Sequence, residues 1–319
     1  MKLNSKPYNK SGSNKIISIK NIFKPDDSCV SLYRKIHNSN LSIDNSSEYC
    51  KTLSYNNLHL LGQKSLNNKS NLKSKILNLE IINNINYQHK TLIINSNGLE
   101  DSKRNINDGY VFFGYETKNK KNTNPKIDVF LVTKDKELTD EVFNEIHFQI
   151  RYCDINDKYY IKDLEKGFGT FIKMIDKMKI TNNFLISIGE NFIFFTFNNS
   201  NEQELNINVF SKETKEQNYS FNSNKDPYII LGRSDSCDVK INDKLISQIH
   251  CVITYKEFNG EEECNYENEK DESGWFIKDG NLDGKKSTND TWFLSQEEVE
   301  IYQNMIFKNN HNVFKCTYI

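Results

Sequence analysis

The chain has 319 residues, 42 Lys/Arg against 43 Asp/Glu for a net charge of −1, and 36% hydrophobic residues. That length accommodates two domains, or one with a long tail. No stretch approaches the roughly 18 apolar residues of a membrane helix, and the N-terminus lacks the apolar centre of a signal peptide, so neither a membrane partner nor export is expected. Seven cysteines (Cys29, Cys50, Cys153, Cys237, Cys251, Cys264 and Cys316) form no C-x-x-C pair and no zinc spacing. They read as reduced thiols in a cytoplasmic or nuclear setting, with no metal and no cofactor.

In chain order, residues 1–89 are rich in Asn, Ser and Lys, with 13 Lys/Arg against 5 Asp/Glu. This composition is expected to form a largely disordered basic tail. Within it Leu72, Ile76, Leu79 and Ile82 fall near helical spacing, compatible with a short helix over 72–85. From Lys90 the pattern changes to short β-type runs at 91–94, 110–113, 129–132, 147–152, 159–162 and 192–197. A second series follows at 207–210, 228–231, 239–241, 250–255, 275–278 and 313–318. Aromatic residues make up 12% of the chain, and aromatic and β-branched residues favour strands. Many short strands separated by turn signals predict an all-β fold of sandwich type.

The two series read as repeats. Residues 146–150 (IHFQI) resemble 249–253 (IHCVI), and 159–163 (YYIKD) resemble 275–279 (WFIKD). Gly114 corresponds to Gly232, and Thr170-Phe171 to Thr291-Trp292. His147 and His250 lie 103 residues apart, a plausible size for one sandwich. The expected organisation is therefore a tail at 1–89, one sandwich at 90–199 and a second at 200–319, joined by the short linker 198–204. In the second repeat residues 257–272 hold eight Asp or Glu and read as a charged hairpin extension.

The second repeat carries the chemistry. It holds Gly232-Arg233, then Ser247-x-x-His250, then Thr288-Asn289-x-Thr291. An Arg fork matches phosphate oxygens, and Ser and Asn add hydroxyl and amide hydrogen bonds. In order and spacing these blocks resemble the forkhead-associated (FHA) domain, a reader of phosphothreonine peptides, over about residues 205–319. The resemblance implies that Arg233 pairs with the phosphate, that Ser247 donates its hydroxyl to it, and that Asn289 bonds peptide backbone. It further implies that Thr288 shapes the same loop, and that Gly232 and His250 support the site. The partner implied is a threonine-phosphorylated protein.

Two residues depart from the family pattern. Asp290 stands where Gly is usual after the Asn, and Gln248 stands where a basic residue is frequent. In the first repeat Tyr115, Asn144 and Phe168 occupy the Arg, Ser and Asn positions, so that copy is expected to keep the fold without phosphate recognition. With no nucleophile–base pair, metal cluster or phosphate loop in view, an enzyme is not expected. Two alternatives stay open: a phosphate-independent protein scaffold, and a nucleic-acid-associated protein using the basic tail, although nucleic acid is not the expected partner.

Overall fold

A computed structural model of the chain describes residues 74–82, 90–104, 106–115, 125–131, 145–167, 169–198, 201–211, 216–257 and 273–319. Among these the fold is all β, with no helix. The first series of strands is β1 (Leu77–Ile81), β2 (Lys90–Asn95), β3 (Gly98–Leu99), β4 (Tyr110–Tyr115), β5 (Val129–Leu131), β6 (Ile146–Cys153), β7 (Lys158–Asp163) and β8 (Thr170–Lys173). Then come β9 (Met178–Lys179), β10 (Phe184–Ile188) and β11 (Asn191–Asn198). The second series is β12 (Asn201–Phe210), β13 (Gln217–Asn222), β14 (Tyr228–Gly232), β15 (Val239–Lys240), β16 (Cys251–Lys256), β17 (Gly274–Asp279) and β18 (Trp292–Leu294). It closes with β19 (Val299–Glu300), β20 (Ile306–Asn309) and β21 (Asn312–Tyr318).

These strands form three sheets. One has eleven strands in the order β13-β12-β11-β10-β18-β8-β20-β21-β1-β2-β3. Two five-stranded sheets run β15-β14-β16-β17-β9 and β19-β7-β6-β4-β5. The long sheet is continuous because β8 and β18, one from each series of strands, pair antiparallel with Ile172 opposite Phe293. Reciprocal bonds frame this pair: Met174 N donates to Thr291 O at 2.8 Å, and Ser295 N to Thr170 O at 2.9 Å.

The chain leaving β8 therefore crosses into the second repeat, and the chain leaving β18 crosses into the first. β9 pairs with β17, and β10 with β18. Conversely β19 pairs with β7, β20 with β8, and β21 with β1. The core repeats the exchange. Phe314 on β21 meets Phe113 on β4 and Phe148 on β6 edge to face, with ring centroids 6.1 and 5.9 Å apart. Phe307 on β20 meets Phe148 at 5.6 Å. Edge-to-face contact suits the quadrupoles of these rings.

The expected boundaries are corrected accordingly. The last three strands of 90–199 complete the sandwich built on β14–β17, and the last three of 200–319 complete the one built on β4–β7. The linker expected at 198–204 is instead the joint of the long β11–β12 ladder, which runs from Asn198↔Asn201 to Phe192↔Phe210. The tail also ends earlier than residue 89. β1 lies inside the long sheet between β2 and β21, with Leu77, Leu79 and Ile81 buried in alternation. That period of two overrides the helical spacing read over 72–85. The remainder of the tail, 1–73 and 83–89, and residues 258–272 of the acidic stretch lie outside the described residues.

Candidate functional site

The site of the second repeat is assembled from the loops that follow β14, β15 and β17. It begins with a close approach. A Cβ on Gly232 would sit 2.2 Å from the carbonyl oxygen of Gln248, so only glycine lets β14 end against the 247–250 segment. Beyond it Arg233 N donates to Ser247 O, and Ser234 N to Gln248 O, both at 3.1 Å. These bonds bring Arg233 beside Ser247. The Arg233 side chain is exposed and has no ion-pair partner among the described residues.

Ser247 joins two loops. Its Oγ accepts from Thr288 N at 3.0 Å and donates to Thr288 Oγ1 at 3.3 Å. A serine hydroxyl has one proton, so it can turn from Thr288 Oγ1 to a ligand acceptor while the amide bond from Thr288 stays in place. Asn289 Nδ2 donates to Leu245 O at 2.7 Å, and Asn289 O accepts from Trp292 Nε1 at 3.2 Å. The amide of Asn289 retains a second N–H and its Oδ1 for a ligand.

His250 lies between the same loops, fully buried. Its Nδ1 accepts from Ser247 N at 3.2 Å, which leaves the proton on Nε2, directed at Asp290 O at 3.2 Å. Burial pushes its pKa below the ordinary 6.5, against smaller opposing effects of the Asp290 carbonyl and the charges of Asp279, Asp290 and Asp243. The ring is a neutral strut between the Ser247 and Asp290 loops. Asp290 has a left-handed φ of 58°, a geometry Asp tolerates better than most residues. Its carboxylate is met by Lys173 Nζ at 2.8 Å.

Two supports of the site were not singled out from sequence. Asp279, 2% exposed, accepts from Ser287 Oγ at 2.6 Å, Ser287 N at 3.2 Å and Thr291 Oγ1 at 2.7 Å, closing the base of the 280–291 loop. The signal was present in the repeated Lys-Asp at the ends of β7 and β17, followed by Thr170 after β7 and by Ser287 and Thr291 after β17. Lys173, on a strand of the other repeat, had no local signal.

The first repeat differs at the equivalent place. Gly114 keeps the close approach, with its would-be Cβ 2.4 Å from Glu145 O. Tyr115, however, is fully buried against the His147 ring, centroids 4.7 Å apart. Its hydroxyl donates to Asn309 Oδ1 at 2.8 Å and accepts from Asn312 Nδ2 at 3.3 Å. The position held by an exposed arginine in the second repeat is thus an interior tie to the exchanged β20–β21 hairpin. Asn144 and Phe168 lie outside the described residues. Among the described residues no group of His, Cys, Asp or Glu could hold a metal ion.

The model of the FHA domain family matches residues 229–313. Over these residues the chain is similar to FHA domains. The match follows the chain through β19 and β20 to the start of β21, strands that in space complete the other sandwich. Among solved structures the chain is similar to the Slr1951 protein from Synechocystis sp., at 17% identity over 34% of this chain and 92% of that one, with a TM-score of 0.18. It is also similar to the MEK1 FHA domain in complex with a HOP1 phosphothreonine peptide, at 13% identity over 43% of this chain and 97% of that one, with a TM-score of 0.15. No curated protein matches.

Proposed function

We propose that this chain is a phosphothreonine-dependent protein-binding module, acting through the loops that follow β14, β15 and β17. The observation that carries the reading is the exposed side chain of Arg233, without an ion pair among the described residues, on a residue whose backbone N–H bonds Ser247 O while Ser247 Oγ is bonded to Thr288. A phosphothreonine brings about −1.5 to −2 charges and three strong acceptors. Arg233 supplies the fixed charge, Ser247 a hydroxyl donor, and Asn289 an amide for the flanking peptide backbone. Thr288 keeps Ser247 in place, and Gly232 and His250 set the spacing of the loops. The reading is one of binding rather than catalysis. Asp279 and His250, which lie behind the loops, are both buried and engaged in holding them. The first sandwich, with Tyr115 turned inward, takes a structural part.

The test is to probe the full chain with a degenerate phosphothreonine peptide library, then titrate the best sequence and its unphosphorylated twin by calorimetry. Wild type is expected to bind only the phosphopeptide. Arg233→Ala removes a charged hydrogen bond of about 1.5–3 kcal/mol, a loss of roughly ten- to a hundredfold. Its melting temperature should stay close to wild type, because an exposed arginine contributes little to folding. Equal binding of both peptides, or of both proteins, overturns the reading.

A further inference from the structure

The crossover that leaves the first repeat touches the 286–292 segment of the second at three points. Lys173 Nζ lies 2.8 Å from Asp290 Oδ1. Lys286 Nζ donates to Ile175 O at 2.7 Å. Met174 N donates to Thr291 O at 2.8 Å. Lys173 is also set in register, opposite Trp292 in the β8–β18 ladder. This ladder joins the two repeats, so the cation reaches the Thr288-Asn289-Asp290 loop because the sheets are continuous.

Asp290 is the charge in this loop that opposes a phosphate. It is adjacent to Asn289, its carbonyl is fixed by His250, and its left-handed backbone leaves the loop little freedom to turn away. Without compensation, a carboxylate here repels an incoming dianion. Side chains of Lys173 and Asp290 are 32% and 28% exposed, so their field is only partly screened.

Resting on the phosphopeptide reading above, we propose that Lys173 of the first repeat is a positioning residue for the second repeat's site. It cancels the charge of Asp290 and holds the Asn289 loop neutral toward phosphate. The contribution of the first repeat to recognition is then one cation delivered across the shared sheet.

Charge counting makes the test sharp. The local pair sums to zero in wild type, to −1 in Lys173→Gln, to +1 in Asp290→Asn and to zero again in the double variant. Asn also tolerates the left-handed backbone. Calorimetry of the full chain with the best phosphopeptide from the library should place Asp290→Asn tightest and Lys173→Gln weakest, roughly three- to tenfold below wild type. The double variant and Lys173→Arg should match wild type, and the spread should widen as salt is lowered. A merely structural lysine would not give rescue by Asp290→Asn or salt dependence of that sign. The inference is overturned if Lys173→Gln binds like wild type while Arg233→Ala does not. It is equally overturned if the double variant binds as weakly as Lys173→Gln. If wild type shows no preference for the phosphopeptide over its twin, the functional reading fails and this inference fails with it.

Discussion

The exchange of strands between repeats makes a quantitative demand on two phenylalanines 166 positions apart. Phe148 on β6 and Phe314 on β21 meet at 5.9 Å with their rings inclined by 71°. Both are fully buried, and Phe314 also stacks on Phe307 at 4.7 Å. If each repeat closed on its own strands, these two rings would lie in different sandwiches. Replacing either by Leu in the full chain removes ring contacts that a smaller side chain only partly refills, at a cost of about 1–3 kcal/mol each. The informative quantity is their coupling. An aromatic pair in edge contact contributes about 0.5–1.5 kcal/mol beyond area burial, whereas distant sites add to within about 0.3–0.5 kcal/mol. Urea unfolding of wild type, Phe148→Leu, Phe314→Leu and the double variant measures the cycle. Hydrogen exchange on Phe314→Leu locates the opening. The exchanged fold predicts coupling in the range of a ring pair and loss of protection in 110–115 and 146–153. Additive costs, with loss of protection in 228–232 and 251–256 instead, would refute the exchange.

Tyr115→Phe leaves Asn309 and Asn312 without the hydroxyl they share in the interior, so stability should fall by about 1–3 kcal/mol, read as a lower urea midpoint, while phosphopeptide affinity holds. His250 adds a pH dependence. Its folded pKa lies below the ordinary 6.5, so as pH falls through 6.5 the unfolded chain takes up a proton that the folded chain refuses. The stability advantage of wild type over His250→Asn should therefore be greatest above that pH and shrink below it, as followed by thermal melts from pH 7.5 to 5; an advantage that grows on acidification would contradict the neutral ring.

The strands themselves were legible because their residues alternate or run apolar between turn signals. All twelve β-type runs from Thr91 onward coincide with strands of the fold. β1 was missed because Leu77, Leu79 and Ile81 sit among Asn and Lys, where the neighbouring Leu72, Ile76 and Ile82 suggested a helical period instead. The pairing partners were beyond reach for a different reason. β9–β11 follow β8 and β19–β21 follow β18 as short strands with apolar residues, and periodicity does not say which of two sheet edges a strand joins. The same limit hid Lys173: its partner Asp290 is 117 positions away and on another repeat, so spacing alone carries no trace of it. The loop residues of the second repeat were readable because Gly232, Ser247, His250 and Asn289 each answer a local demand of turn geometry or hydrogen bonding that a short motif records. Tyr115 was aligned with Arg233 from the sequence, but its inward orientation depends on Asn309 and Asn312, which arrive from the far end of the chain.

Phosphothreonine binding by the second repeat's loops is the reading on which the other proposals depend. It is tested most directly by NMR of the full chain, following backbone amides and the Arg233 Nε–H during titration with the selected phosphopeptide and, separately, its unphosphorylated twin. Shifts are expected to concentrate at 233–236, 245–250 and 286–291, including the Arg233 side chain, with the phosphopeptide only. Shifts centred instead on 111–115 and 145–150, or the same shifts with both peptides, would contradict it.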